Sequence, residues 1–289
     1  MNSSTHSFLV FVLVCLCFAG PATAQCIDFD DYLHWTGSVE TSYATYGVAV
    51  SGNHAYVADA GLYVIDITYP NSPQIVGSVG NCGQAHCVAV SGSYAYLADD
   101  FMCGLLVLDI SDPRNPQQVA SVVPPGKAFG VDIAGTYAYV GDGDLQVIDI
   151  ANPLDPQIVA SASTPGTSKG VTVSGNYAYV ADYNHGLQVI DISNPLSPQL
   201  VGGVGSPGHA WEVAVSGSFA YLADDDSGIQ IIYISDPADP LIVGNMSVQG
   251  RATGVAVAGD RVYVTDQGYG LLLADITDPL NPEITGHVE

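Results

Sequence analysis

The sequence predicts an all-β fold, a six-bladed β-propeller whose blades are four-stranded antiparallel sheets. The first observation is internal repetition, because the pattern of residues 170–204 recurs six times between the N-terminal region and residue 289. The second is that its apolar runs are short and rich in β-branched and aromatic residues, as is usual for strands. The third is the period, since four strands in about 40–45 residues are typical of a propeller blade.

Each copy contains four runs, called here strands a, b, c and d. A Gly-containing turn joins strands a and b, because glycine tolerates the positive φ of a tight hairpin. That glycine recurs as Gly52, Gly92, Gly135, Gly175, Gly217 and Gly259. An aspartate ends every strand b, at Asp59, Asp99, Asp142, Asp182, Asp224 and Asp266. Two prolines separate strand c from strand d in each copy, since proline cannot donate a hydrogen bond to a ladder.

Ring closure is predicted because a single amphipathic sheet would leave an apolar face in water. Segments that resemble strand d occur at both ends of the propeller region, at residues 33–39 and 283–288. One terminal strand is expected to close the ring, which removes exposed edges. Which of the two does so is left open by the sequence.

The strand c segments carry a family resemblance. The sequence GLQVIDISNP at residues 186–195 and its counterparts, such as GLYVIDITYP and GLLVLDISDP, resemble the LVIVD repeat. The resemblance covers residues 32–289 and implies a β-propeller in an exported or surface protein. It implies no catalytic residue set. The fifth copy departs from the motif, with Tyr233 where the other copies have aspartate.

Residues 1–24 are predicted to be a secretory signal peptide. The apolar run from Phe8 to Phe18 is too short to span a bilayer, and Ala22-Thr23-Ala24 fits a signal peptidase site. The segment before the run lacks Lys and Arg, so a retained N-terminal anchor is the alternative. Residues 25–31 then form an acidic lead-in to the propeller at residues 32–289. The expected location is extracellular, periplasmic or at the cell surface.

The charge balance limits the partners. The chain has 29 acidic and 5 basic residues, a formal net charge of −24. Such a surface disfavours nucleic acid and anionic membranes, both of which repel it. Most of the acidic residues are interpreted as a solvated surface that maintains solubility.

Four cysteines remain after the signal peptide, and an even number in an exported chain favours disulfides. Cys82 and Cys87 lie in the loop that leads into the second blade, Cys103 lies between its strands b and c, and Cys26 lies in the lead-in. Cys82–Cys103 is the preferred pair. A zinc site that includes His86 is the alternative, because thiolates and imidazoles suit zinc.

No cofactor is expected. The six aspartates that end strand b are predicted to have a structural role in their turns, because a residue present in every copy does the same task in every copy. Asp142 and Asp144 and the run Asp224-Asp225-Asp226 keep calcium as an alternative, although neither has the spacing of a known calcium loop.

The positions that vary among copies give the candidate site. They are the residue that precedes each strand a and the residue two positions before it, which the topology places around one axial opening. The aromatic and basic side chains at these positions are Tyr46, His86, Lys127, Phe129, Lys169, His209, Trp211 and Arg251. They predict either a plug of the axial channel or a ligand-recognition rim within an acidic body.

Three functions are consistent with these features. The favoured one is a non-enzymatic, exported propeller that binds a protein, peptide or glycan, with preference for an anionic group. The second is a hydrolase or lactonase with an axial divalent metal, which requires acidic side chains that converge in the channel. The third is a structural module of an envelope assembly.

Overall fold

A computed structural model describes residues 37–41, 45–80, 83–100 and 103–288. All 24 regular elements in these ranges are strands. The predicted signal peptide, the acidic lead-in and Cys26 lie outside the described residues, and so does Cys82. Within the described ranges there is no helix long and apolar enough to cross a membrane.

The strands form six sheets of four, in chain order. The first three blades comprise β1 (Gly47–Ser51), β2 (His54–Ala58), β3 (Gly61–Asp66), β4 (Gln74–Gly80); β5 (Ala85–Ser91), β6 (Tyr94–Asp99), β7 (Gly104–Asp109), β8 (Gln117–Val122); β9 (Gly130–Ala134), β10 (Tyr137–Gly141), β11 (Leu145–Asp149) and β12 (Gln157–Ala162). The last three comprise β13 (Val171–Ser174), β14 (Tyr177–Ala181), β15 (Leu187–Asp191), β16 (Gln199–Val204); β17 (Glu212–Ser216), β18 (Phe219–Ala223), β19 (Ile229–Tyr233), β20 (Leu241–Met246); β21 (Arg251–Ala258), β22 (Arg261–Gln267), β23 (Gly270–Asp275) and β24 (Glu283–Val288).

Every blade is an antiparallel meander in which sequence neighbours pair. The predicted four-stranded blades and six-bladed propeller are therefore confirmed. The first strands of successive blades contact one another, from β1 and β5 through to β17 and β21, so these strands are innermost. In every blade the pairing of the third and fourth strands contains a register shift, which increases local twist.

The core lies between blades. The second-strand tyrosines are its largest members, and Tyr96, Tyr139 and Tyr221 are each at most 2% exposed. Tyr221, for example, packs with Met246 of its own blade and Val262 and Leu272 of the next. The apolar faces of successive sheets therefore cover each other at the five junctions from the first blade to the sixth, which is what the repeat pattern requires.

The aspartates at the ends of the second strands hold the loops that lead into each blade. The Gly126 amide donates to the Asp142 carboxylate at 2.9 Å, and the Gly208 amide donates to Asp224 at 3.0 Å. The same bond recurs in the fourth and sixth blades. A Cβ on Gly126 would lie 1.7 Å from the Asp142 carbonyl oxygen, so only glycine allows this approach. These aspartates position the residues that follow each glycine.

The C-terminal strand completes the sixth blade, because β24 is its outer strand and pairs with β23. The N-terminal segment 37–41 instead lies beside the loop between β3 and β4, where a Cβ on Gly37 would meet the Pro70 carbonyl oxygen. Of the two strand d candidates, the C-terminal one is therefore used as the outer strand of a blade.

Candidate functional site: the axial rim

Five of the predicted rim residues form a continuous series of contacts from the first blade to the fifth. The Tyr46 and His86 rings are 4.7 Å apart between centroids, and the His86 and Phe129 rings are 5.3 Å apart. Lys169 Nζ lies 3.2 Å from the Phe129 centroid and 5.3 Å from that of Trp211. The first five blades thus contribute one side chain each to this series, which we call the axial rim.

The blade framework fixes the rim residues through their backbones. The amide of Phe129 donates to the carbonyl of Gly141, and the amide of Lys169 donates to that of Ala181. Tyr46 and Trp211 make the same bond in their own blades. In these four blades the acceptor is the residue before the aspartate that ends the second strand, so one hydrogen-bond pattern presents a different side chain in each of them.

Lys169 lies among three aromatic rings. Besides Phe129 and Trp211, its Nζ is 5.6 Å from the centroid of Tyr183. Tyr183 contacts Trp211 edge to face, with the centroids 5.2 Å apart. Burial and, second, the positive charge of Lys127 lower the pKa of Lys169 to about 8. The rings favour the ammonium form, so their effect opposes that of burial.

The His86 imidazole and Lys127 share one carboxylate. His86 Nε2 lies 3.3 Å from Asp100 Oδ2, but without the alignment of a hydrogen bond. Lys127 Nζ is 3.9 Å from the same oxygen. Burial lowers the pKa of His86, Asp100 opposes this effect, and Lys169 adds to it.

Arg251 and His209 are held by the acid that follows Asp224. Arg251 donates to both carboxylate oxygens of Asp225, with Nη2 at 2.6 Å from Oδ2. His209 Nδ1 lies 3.5 Å from Asp225 Oδ2, and its ring stacks on Tyr183 at 4.4 Å. The hydrogen bond from Arg251 holds the pKa of Asp225 below its usual value. The sixth blade joins the rim through this ion pair.

The rim is in contact with solvent. The side chains of Lys127, His209 and Arg251 are 62%, 48% and 46% exposed, and Tyr46 is 51% exposed. Phe129, Lys169 and Trp211 are half-buried between them. The Trp211 Nε1–H contributes to the low pKa of Asp225 but makes no well-aligned hydrogen bond to a described residue.

Sequence reasoning missed three members of the site: Asp100, Tyr183 and Asp225. All three occupy the position directly after the aspartate that ends the second strand. Tyr183 and Asp225 have positive φ, at 25° and 54°. Each forms a β-bridge to the next blade, Tyr183 to Ala210 in the loop before β17 and Asp225 to Ala252 in β21. The signal was present, because this position also varies among the copies.

Polar side chains further along the inner strands connect neighbouring blades. Cys87 Sγ lies 3.6 Å from the Val131 carbonyl oxygen, and Asp132 accepts from the Val173 amide at 2.7 Å. Thr172 Oγ1 donates to Val213 O at 2.6 Å. The equivalent positions in other copies are mostly Gly or Ala, so these bonds are additions to the repeat.

Glu212 directly follows Trp211 and lies against Gly170 of the preceding blade, where a Cβ would be 2.5 Å from Glu212 Oε1. Burial raises the pKa of Glu212 to about 7. The nearby Asp132 carboxylate adds a smaller increase, and the hydrogen bond from the Val213 amide opposes both.

Cys87 is a free thiol, and burial raises its pKa to about 12. Cys103 is buried and is not free. The pairing of Cys103 with Cys82 stays a prediction, because Cys82 and Cys26 lie outside the described residues. The described residues contain no group of three or more His, Cys, Asp or Glu side chains arranged to hold a metal ion.

Comparison with solved structures shows the same fold in proteins of different roles. A functionally unknown protein from Desulfotomaculum acetoxidans is 16% identical with a TM-score of 0.71, and 87% of each chain is covered. A candidate 6-phosphogluconolactonase from Bacteroides uniformis is 12% identical with a TM-score of 0.73, over 86% of this chain and 87% of that one. The WD40 repeats of RRP9 are 12% identical with a TM-score of 0.69, over 84% and 80%. These identities establish the fold alone.

No curated protein matches the sequence. The profile of the LVIVD repeat, however, matches six successive segments: residues 44–81, 82–123, 125–164, 165–205, 207–248 and 249–289. Each segment corresponds to one blade. The chain therefore belongs to the LVIVD repeat family.

Proposed function

We propose that this protein is an exported, non-enzymatic propeller that binds a ligand at the axial rim. The observation that carries the proposal is the continuous contact series from Tyr46 to Arg251. It is built at the positions where the six copies differ, whereas the copies agree in the residues that make the frame. Specificity can be placed there without cost to the fold.

The way in which the basic rim residues are paired with carboxylates favours a ligand with an anionic group. Arg251 is neutralised by Asp225, and Lys127 lies near Asp100. Lys169 has no carboxylate within ion-pair distance among the described residues. A ligand carboxylate placed at Lys169 would give this amine an ion-pair partner. An uronate, an acidic peptide or another protein with an exposed acid has this chemistry.

The aromatic rings supply the remaining contact area. Trp211 and Phe129 are half-buried and rigid, and Tyr46 is exposed, so together they can cover a flat apolar group such as a sugar face or an aromatic ring. Propeller domains commonly mediate interactions with other macromolecules, and the WD40 repeats of RRP9 share this fold. The acidic surface around the rim would make binding sensitive to salt.

Trp211→Ala tests the proposal in a screen of glycans, peptides and small carboxylates. We expect binding to weaken by about 2 kcal/mol, as for an interface hot spot, with little change in thermal stability. Tyr69→Ala is the matched control, because Tyr69 is 71% exposed in the loop between β3 and β4, at the opposite face. Lower stability with unchanged binding for Trp211→Ala would mean that the rim is a channel plug.

A lactonase or related hydrolase is the second candidate, favoured by the fold similarity to the candidate 6-phosphogluconolactonase. It requires acidic side chains that converge around the axis. At the rim, Asp100 and Asp225 face basic side chains instead. A lactone hydrolysis assay with added divalent metal separates the two candidates, because turnover that depends on Asp225 or Asp100 would favour the enzyme.

A further inference from the structure

The chain has two lysines, Lys127 and Lys169, and both lie at the axial rim. Their surroundings differ. The Lys127 side chain is 62% exposed, and its amine lies 3.9 Å from Asp100. The Lys169 amine lies over Phe129 and between two further rings. The Lys127 amine is therefore exposed to solvent and lies near a carboxylate. The Lys169 amine is half-buried and has no acidic partner among the described residues.

The surroundings of Lys169 favour its neutral form. Burial removes water from the ammonium group, and Lys127 repels its charge. The aromatic rings and the carboxylate of Asp100 act in the opposite direction, while His86 is near enough for its own pKa to be lowered by Lys169. Burial, Lys127 and Asp100 together bring the pKa of Lys169 to about 8. Roughly a tenth of the amine is then neutral at pH 7, far more than for an ordinary lysine.

We propose that Lys169 Nζ is a nucleophilic amine that forms an imine with an aldehyde ligand at the axial rim. The proposal rests on the binding role of the rim described above and adds a covalent step to it. Burial beside a second cation is a recognised way to activate a lysine for attack on a carbonyl. Lys127 supplies that cation.

The step is balanced without a redox partner. The nitrogen lone pair of Lys169 attacks the carbonyl carbon, a C–N bond forms, and the electron pair of the C=O π bond moves to the oxygen. The oxygen takes a proton and the nitrogen releases one, which gives a neutral carbinolamine. Loss of the hydroxyl group together with the remaining nitrogen proton, as water, then gives the imine. The aromatic rings limit access of water to the C=N bond, which slows the reverse reaction.

The geometry also indicates the class of aldehyde. Phe129, Tyr183 and Trp211 surround the amine with flat apolar surface, which suits a planar aldehyde. Lys127 places a second cation near the amine, so a planar aldehyde that also carries an anionic group matches the site. 4-Carboxybenzaldehyde has both features and serves as the probe.

Reductive trapping tests the proposal. The full-length secreted protein is incubated at pH 7 with 4-carboxybenzaldehyde and cyanoborohydride, and peptide mass spectrometry locates the secondary amines. We expect Lys169 to be labelled at least about tenfold faster than Lys127, because a pKa of about 8 leaves far more of it neutral at pH 7 than of an ordinary lysine. The ratio of labelling at Lys169 to labelling at Lys127 should be highest below about pH 8 and fall above it, where the neutral fraction of Lys169 stops rising. The α-amino group falls in a separate peptide and is scored separately.

Conservative variants provide the controls. Lys169→Arg keeps the cation and should abolish labelling at position 169. Lys127→Gln removes the neighbouring charge and should slow the labelling of Lys169, whereas Arg114→Gln, in the exposed loop between β7 and β8, should leave it unchanged. In urea the two lysines should become equally reactive. Equal labelling of both lysines in the native protein, or no labelling of Lys169, would overturn the proposal that Lys169 is an activated amine that forms an imine.

The experiments distinguish failure of the imine proposal from failure of the proposed binding function. Binding of carboxylates that depends on Trp211, without preferential trapping at Lys169, would overturn only the covalent step. Preferential trapping at Lys169, with ligand binding that is unaffected by Trp211→Ala, would overturn only the proposed recognition role of the rim.

Discussion

Glu212→Gln is expected to stabilise the protein in a pH-dependent way. Burial raises the pKa of Glu212 from 4.5 to about 7, so the folded protein binds more protons than the unfolded chain between these values. Stability contributed by this group is fully present below pH 4.5 and is lost as the pH rises through 7. Glutamine does not titrate and avoids this loss, while its amide oxygen can still accept from Val213.

The magnitude follows from the shift. A difference of about 2.5 pKa units corresponds to about 3 kcal/mol at alkaline pH for a fully dry site. Glu212 retains partial solvent exposure, so we expect a gain of about 1–2 kcal/mol in the free energy of unfolding at pH 8. At pH 5 the gain should be below about 1 kcal/mol.

Urea denaturation at pH 5 and pH 8 measures the effect, and pH 5 stays above the pI of about 4.1. Glu283→Gln at the exposed start of β24 is the matched control, because it removes the same charge from a solvated position. An equal gain from Glu212→Gln at both pH values would refute the reasoning, since it would show a packing effect or relief of general repulsion.

Three further predictions concern the ion pair and the thiols. Arg251→Ala should lower the free energy of unfolding by about 1–2 kcal/mol at pH 7, because it removes the main partner of the buried Asp225, and thermal denaturation measures the loss. The difference should shrink as acid protonates Asp225, whose pKa is lowered mainly by the hydrogen bond from Arg251; the same deficit at pH 2.5 would contradict this cause. Thiol titration of the denatured, unreduced secreted protein should find at most two reactive thiols if Cys82 and Cys103 are paired, whereas four free thiols would favour the zinc alternative. In the native protein Cys87 should resist alkylation at pH 8, since burial raises its pKa to about 12, and rapid native alkylation would show that the thiol is accessible.

Much of the fold could be predicted because the repeat supplies six versions of the same evidence. A glycine turn such as Gly175 and an aspartate such as Asp182 have the same local meaning in every copy, so a misreading in one copy would conflict with five others. The rim residues were also identified as a set, because the topology of a propeller brings the start of every first strand to one axis.

The pairings within the site could not be predicted in the same way. Asp225 is one of two acids that follow the strand-ending Asp224, and nothing local distinguishes it from Asp226 as the one that binds Arg251. In the sequence, nothing distinguishes Tyr183 from an ordinary loop residue. Its position beside Lys169 depends on a positive φ and on a β-bridge to Ala210 of the next blade. The bridge is a contact between residues far apart in the sequence, which local patterns do not reveal.

The sequence by itself determined the period, the strand order and the positions at which the blades differ. These are local properties, set by β-propensity, turn chemistry and the spacing of glycine, aspartate and proline. The tertiary structure decided which rim charges are neutralised, leaving Lys169 without a carboxylate partner among the described residues, and placed Glu212 against Gly170 with a raised pKa. Such properties depend on the distance between side chains from different blades and on their exposure to water, and both are defined only when the ring is assembled.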